Sequence, residues 1–194
     1  MDAERERERI SSEEQHKALI DTLMTVCALY PSLAVERFTF YVCGALSTAF
    51  TPLEYMILGP KVSFQIMKAF CISCPEALSV QNLESKEFPL HLICRDFRKV
   101  MPYSGDLVQF IANQFPKAAS IVNNEGLLPL HILLKQGLHH EQDKPSLVQE
   151  GIKAIDALVQ FFPQSLDCLC SSQSRLPGRT RHFTAIDLVL SHRS

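Results

Sequence analysis

Residues 125–134 read "EGLLPLHILL". A proline opens an apolar run, and a histidine sits inside it. Nearly the same string, "EFPLHLIC", occupies residues 87–94, and a third relative, "FTPLEYMIL", surrounds Pro52. Pro52, Pro89 and Pro129 follow one another at steps of 37 and 40 residues. A weaker copy, "FTAIDLVL", lies around Ala185. A second family of strings interleaves with the first: "LYPSLAV", "SCPEALSV", "QFPKAASIV" and "FFPQSLDCL", carrying Pro31, Pro75, Pro116 and Pro163. Two markers alternating at a similar period are the signature of a repeated structural unit.

Each unit has a physical reading. Proline is tolerated in the first turn of a helix, where its missing N–H would have no partner. "PLEYMIL", "PLHLIC" and "PLHILL" therefore open short helices. The segments that follow are apolar at helical spacing: Leu107, Phe110 and Ile111, with Gln114 the polar exception, in one, and Ile152, Ile155, Leu158 and Val159 in another. The residue before a proline is pushed out of the helical region, so Pro116 and Pro163 mark helix ends. The expected unit is a short helix, a longer helix, a terminating proline and a polar loop. Helix pairs are predicted at residues 52–74, 89–115 and 129–162, stacked in order, because one pair cannot bury its apolar face alone. Only "RFTFYVC" (37–43) favours a strand, so the predicted class is all-α with that one exception.

These strings resemble the ankyrin repeat. Gly126, Pro129, Leu130 and His131 fall on that family's G-x-T-P-L-H opening, and Gly137 on the glycine that closes its inner helix. Thr51, Pro52 and Leu53 match in the first copy, with Glu54 in place of the histidine. Pro89, Leu90 and His91 match in the second, with Lys86 where the glycine is expected. "TAIDLVL" is similar to a T-A-L-D-L-A variant of later repeats. The match spans roughly residues 45–194. It departs from the family at Phe88 and Leu128, which replace the threonine, in its longer period, and in the F-P-x-A-A string after the outer helix. The resemblance implies an all-α, ankyrin-like solenoid of stacked helix pairs. Residues 16–50 would supply a partial first repeat, with "HKALIDTLMTVCALYP" as its outer helix. The domain layout expected is a charged, disordered lead-in at 1–15 and a single repeat domain over 16–194.

Composition narrows the function classes. The chain has 194 residues, 46% of them hydrophobic and 21% charged, with a net charge of -2. That balance points neither to a nucleic-acid binder nor to an acidic solvating tail. Residues 1–15 lack the apolar core of a secretory leader, and no run reaches the roughly 18 to 20 apolar residues of a membrane span. The seven cysteines are scattered, mostly inside apolar runs, which fits packing in a reducing compartment. A cytoplasmic location is expected. "ERERER" (4–9) alternates in sign and reads as a solvated lead-in.

Cys71 and Cys74 form a C-x-x-C, and Cys168 and Cys170 a C-x-C, but on different repeats, whereas zinc needs four ligands meeting in space. His91 and His131 belong to the repeat's opening motif and are expected to be structural. His139 and His140 fall in a polar loop. No nucleophile motif or glycine-rich phosphate loop stands beside them. The expected function is a non-catalytic protein-interaction module, a scaffold or adaptor, with no cofactor, metal or small-molecule substrate. The alternative is a metal- or thiol-dependent enzyme or redox protein built on the cysteines and histidines. The resemblance places partner-facing positions at Arg95, Asp96, Lys135 and Gln136 on the inner helices. On the loop tips it places them at Glu84, Ser85 and Glu87, at Asn124, Glu125 and Leu127, and at Thr180 and Arg181. The basic cluster "SRLPGRTRH" (174–182) adds Arg175 and Arg179, with Arg181, as a contact for an acidic or phosphorylated peptide.

Overall fold

The computed structural model describes the chain except at residues 1, 43–44, 59–61, 99–102, 137–144, 169, 174–179 and 184–194. It is mostly helical. Two compact units are formed, Met1–Ala77 and Leu78–Ser194. No helix among the described residues is long and apolar enough to cross a membrane.

In the first unit, helix α1 (Asp2–Leu29) takes in the charged residues 4–9 and is followed by a 3-10 turn at Pro31–Ala34. Strands β1 (Phe38–Val42) and β2 (Ala45–Phe50) pair antiparallel, with Phe38 opposite Phe50 and an irregularity between Thr39 and Tyr41. A two-stranded hairpin is marginal by itself. Here Phe38 and Phe50 pack with Leu19 against Leu23 of α1 and Tyr55. Helix α2 (Pro52–Leu58) starts at a reciprocal capping box. The Thr51 amide donates to Glu54 Oε2 at 2.8 Å, and the Glu54 amide donates to Thr51 Oγ1 at 3.2 Å. Arg37 Nη1 meets the same Glu54 oxygen at 2.9 Å and the Ala49 carbonyl at 3.1 Å. The buried carboxylate that replaces the repeat's histidine is thus given a cation. Helix α3 (Phe64–Ser73) begins at Ser63, whose Oγ accepts from the Ile66 amide. It buries Met67, Phe70 and Cys71, one stripe at helical spacing.

The second unit holds α4 (Pro89–Arg95), α5 (Ser104–Gln114), α6 (Pro129–Lys135) and α7 (Pro145–Phe161). Short helix α4 packs on short helix α6, and long helix α5 on long helix α7, while each short helix also meets the long helix of its own pair. The long-helix contact is close at Gly105. A Cβ there would meet the Glu150 backbone oxygen at 2.3 Å, so only glycine lets the backbones approach this far. Glu150 in turn caps α5: its Oε2 accepts from the Gly105 amide at 2.9 Å and lies 3.4 Å from the Asp106 amide. A carboxylate at a helix N-terminus is favoured by the unpaired amides and the helix dipole.

The helices therefore stand where the proline markers predict them, and Pro31, Pro75, Pro116 and Pro163 have a further role. Each opens a 3-10 turn, at Pro31–Ala34, Pro75–Ser79, Pro116–Ser120 and Pro163–Leu166. Three expectations are corrected. The buried face of α7 is Leu147, Glu150, Gly151, Ala154, Ala157 and Leu158, with Ile152 exposed, so close approach through small residues set the face rather than the large apolar stripe. Strands are more numerous than the one expected: β3 (Cys170–Gln173) and β4 (Thr180–Phe183) form a second hairpin, with Gln173 opposite Thr180. Finally, the short helices are buried on all sides over Pro52–Ile57, Pro89–Cys94 and Pro129–Leu134, rather than offering an open face to a partner.

Candidate functional site

Two loops precede the short helices of the second unit, and both are built around an asparagine. In the first, Asn82 Oδ1 accepts from the amides of Glu84 (3.0 Å) and Ser85 (3.1 Å). The Asn82 amide donates to the Glu87 carbonyl at 2.7 Å, and the Lys86 amide donates to the Asn82 carbonyl at 3.0 Å. In the second, Asn123 Oδ1 accepts from the amides of Glu125 (3.0 Å) and Leu127 (2.9 Å), and the Asn123 amide donates to the Leu127 carbonyl at 3.0 Å. Asparagine suits this task because its short side chain reproduces a turn's backbone acceptor. Each loop also turns through the left-handed region three residues before the proline, at Lys86 (φ 56°) and Gly126 (φ 74°). Glycine accepts that conformation without steric cost; lysine does not.

The loops are tied to each other. The Asn124 amide donates to the Ser85 carbonyl at 3.0 Å, and Asn124 Nδ2 to the Glu84 carbonyl at 2.8 Å. Asn123 Nδ2 donates to Glu87 Oε1 at 3.1 Å, and Arg95 Nη2 binds the same oxygen. Arg95 Nη2 also lies 3.7 Å from Glu125 Oε1. Below the tips, the histidines close the frame. His91 Nδ1 accepts from the Phe88 amide at 3.3 Å, which leaves the hydrogen on Nε2 to donate to the Ile121 carbonyl at 2.9 Å. His131 Nδ1 accepts from the Leu128 amide at 3.2 Å. Its Nε2 faces Cys168, which follows Pro163 by the same five residues that separate Ile121 from Pro116. The Cys168 backbone is near enough to favour the ring's charged form, but among the described residues Nε2 has no partner in full hydrogen-bond geometry. Burial pushes both rings toward neutrality: His91 falls to about 4, and His131 is lowered, with Arg95 and Lys135 respectively adding repulsion.

The expected partner-facing residues divide into groups. Glu84, Ser85, Asn124, Glu125 and Arg95 are brought together at the joined tips. Glu84 and Asn124 are exposed, Glu125 is 55% exposed and Arg95 39%. Glu87 and Leu127, expected among them, are instead buried, at 0% and 2% exposure. They face the loop interior because the asparagine-centred turns fold that strand of each loop inward. Asp96 is half-buried at the C-terminal end of α4, and Lys135 is exposed at the end of α6. The Gln136 carbonyl accepts from Arg98 Nε at 3.3 Å, which links those two ends. Thr180 and Arg181 belong to β4, where they stand opposite Gln173 and Ser172 of β3. Arg175 and Arg179 lie outside the described residues.

The thiols of Cys27, Cys71, Cys74 and Cys94 are held protonated, the form that packs rather than attacks or ligates. Burial pushes Cys71 up to about 12 and raises Cys27, Cys74 and Cys94. Cys74 Sγ donates to the Cys27 carbonyl at 3.7 Å. Among the described residues, no group of three or more histidine, cysteine or acidic side chains is placed to hold a metal ion. His139, His140 and Gly137 lie outside the described residues. The residues that sequence reasoning missed are Asn82 and Asn123. Their signal was present, an asparagine seven residues before Pro89 and six before Pro129. Comparison with protein-family models, curated proteins and solved structures returned no match.

Proposed function

We propose that this chain is a divergent ankyrin-like repeat module, a cytoplasmic, non-catalytic scaffold or adaptor that binds a protein partner. The observation that carries the reading is the bond pair from Asn124 to Glu84 and Ser85. It holds two successive loop tips in fixed relation while their outer side chains remain exposed. A surface ordered in advance loses little conformational entropy on binding. The histidines are spent inside the frame, as Nδ1 acceptors for the Phe88 and Leu128 amides. Because the short helices are buried all round, the binding face is confined to the tips and to the helix ends at Arg95, Asp96, Lys135 and Gln136. The test is affinity capture with the wild type beside a Glu84→Lys/Lys135→Glu variant of equal thermal stability. A protein captured by the first and lost by the second supports the reading. Capture unaffected by the charge reversal, or capture of nothing beyond a designed repeat protein used as control, counts against it.

A further inference from the structure

Glu87 stands two residues before Pro89, where the next loop has Leu127 before Pro129. Both side chains are buried. A carboxylate is a costly occupant for a position that leucine fills, unless it is paired. Its Oε1 is paired, with Asn123 and Arg95. Among the described residues its buried Oε2 has no partner in full hydrogen-bond geometry, although Ser85 lies near enough to favour the charged form. The ionisable groups that act on it are Arg95 and the Cys94 thiol from α4, and Glu125 from the following loop; Ser85 and Asn123 are its neutral polar neighbours. Arg95, meanwhile, has a second carboxylate in reach, the exposed Glu125. The arginine therefore has two seats, one buried and one at the surface.

We propose that Glu87 and Arg95 form a proton-operated latch between the two loops. With Glu87 ionised, the guanidinium is drawn onto it, and Asn123 is clasped by a charge-assisted hydrogen bond. A proton from solvent added at Oε2 takes the carboxyl from -1 to neutral. Arg95 then passes to Glu125 and solvent, and the Asn123 bond becomes a weaker, neutral one. Burial is the largest influence on Glu87 and raises it above the ordinary glutamate value; Glu125 adds to this, while Asn123, Arg95 and Ser85 oppose it. His91 also feels Arg95, so its titration is followed separately. The latch needs no assumption about a partner.

The experiment is a pH titration of the whole chain by NMR. It follows the Glu87 carboxyl carbon, the Arg95 Nε–H, the Asn123 side-chain amide and the Asn124 backbone amide. The expected result is one shared midpoint, above the ordinary glutamate value. In Glu87→Gln the step at that midpoint vanishes from the Arg95, Asn123 and Asn124 signals, while the titrations of His91 and His131 persist. Glu87→Leu, patterned on Leu127, gives the same readout if the glutamine variant does not fold. A Glu87 carboxyl that titrates at or below the ordinary value in the wild type overturns the latch. So does an Arg95 or Asn123 step that survives at the Glu87 midpoint in either variant.

Discussion

The loop before α4 and the loop before α6 perform one task with different residues. Both turn on an asparagine, both pass through the left-handed region, and both hand an amide to a histidine Nδ1. They differ in three places. Lys86 stands where Gly126 does, Glu87 where Leu127 does, and the first loop is one residue longer between asparagine and proline. The backbone course is thus what the fold requires, and the side chains are local solutions to it. The first solution carries the strain of a left-handed lysine and a buried charge. It also has the better-satisfied histidine, since His91 Nε2 reaches the Ile121 carbonyl while His131 Nε2 has no full bond.

Exchanging the inner residues breaks the comparison most severely. Leu127→Glu puts a carboxylate in place of a fully buried leucine, and a loss of about 3 to 5 kcal/mol is expected in urea unfolding. Glu87→Leu, the reverse change, stays within about 1 kcal/mol of wild type, because an apolar residue often substitutes for a buried ion pair without loss. Equal effects at both positions would mean that the loops are not equivalent.

Acid should act through the histidines. A ring at about 4 in the folded state and 6.5 unfolded binds fewer protons folded than unfolded. The stability it contributes is complete above 6.5 and is lost as pH falls toward about 4. The loss amounts to roughly 3 kcal/mol for His91 over that window. Glu87, raised in the folded state, works in the opposite sense, since the folded protein then holds its proton more firmly. Unfolding curves across this window should therefore fall more steeply with acid in Glu87→Gln than in the wild type.

Removing the rings separates the two loops further. His91→Ala strands the Phe88 amide and the Ile121 carbonyl, and should cost about 2 to 3 kcal/mol; His131→Ala strands the Leu128 amide alone and should cost about 1 to 2. Thermal and chemical unfolding of the pair would show whether that order is right. The smallest effect is in the backbone. Lys86→Gly should gain about 1 kcal/mol by removing a Cβ from the left-handed region, and Gly126→Ala should lose about as much.

Much of the helical layout is legible in the prolines, because a missing N–H and a fixed φ constrain the chain locally. Pro52, Pro89 and Pro129 open helices, and Pro116 and Pro163 follow the ends of helices, as read. What escaped the sequence depends on distant partners. Glu150 caps a helix through Gly105, 45 residues earlier, and Gly105 is required by a neighbouring backbone. Arg37 neutralises Glu54 from the far side of a hairpin. The second hairpin was hidden because "CSSQ" and "TRHF" lack an alternating apolar face. The tip residues were read as uniformly exposed, and Glu87 and Leu127 differ because the turn folds them inward. Asn124, Glu84 and Glu125 were legible as tips, but the bonds that join them were not.

The central claim is that His91 and His131 play one role, as neutral rings that carry hydrogen on Nε2 and accept a backbone amide at Nδ1. Nitrogen-15 NMR of the imidazoles across pH 3 to 8 tests it directly, the range being chosen to bracket the ordinary histidine value of about 6.5. The account predicts that both rings show the Nε2–H tautomer at neutral pH and that both titrate below the ordinary value, His91 near 4. An Nδ1–H tautomer at either position, or a ring that titrates at the ordinary value, would contradict it.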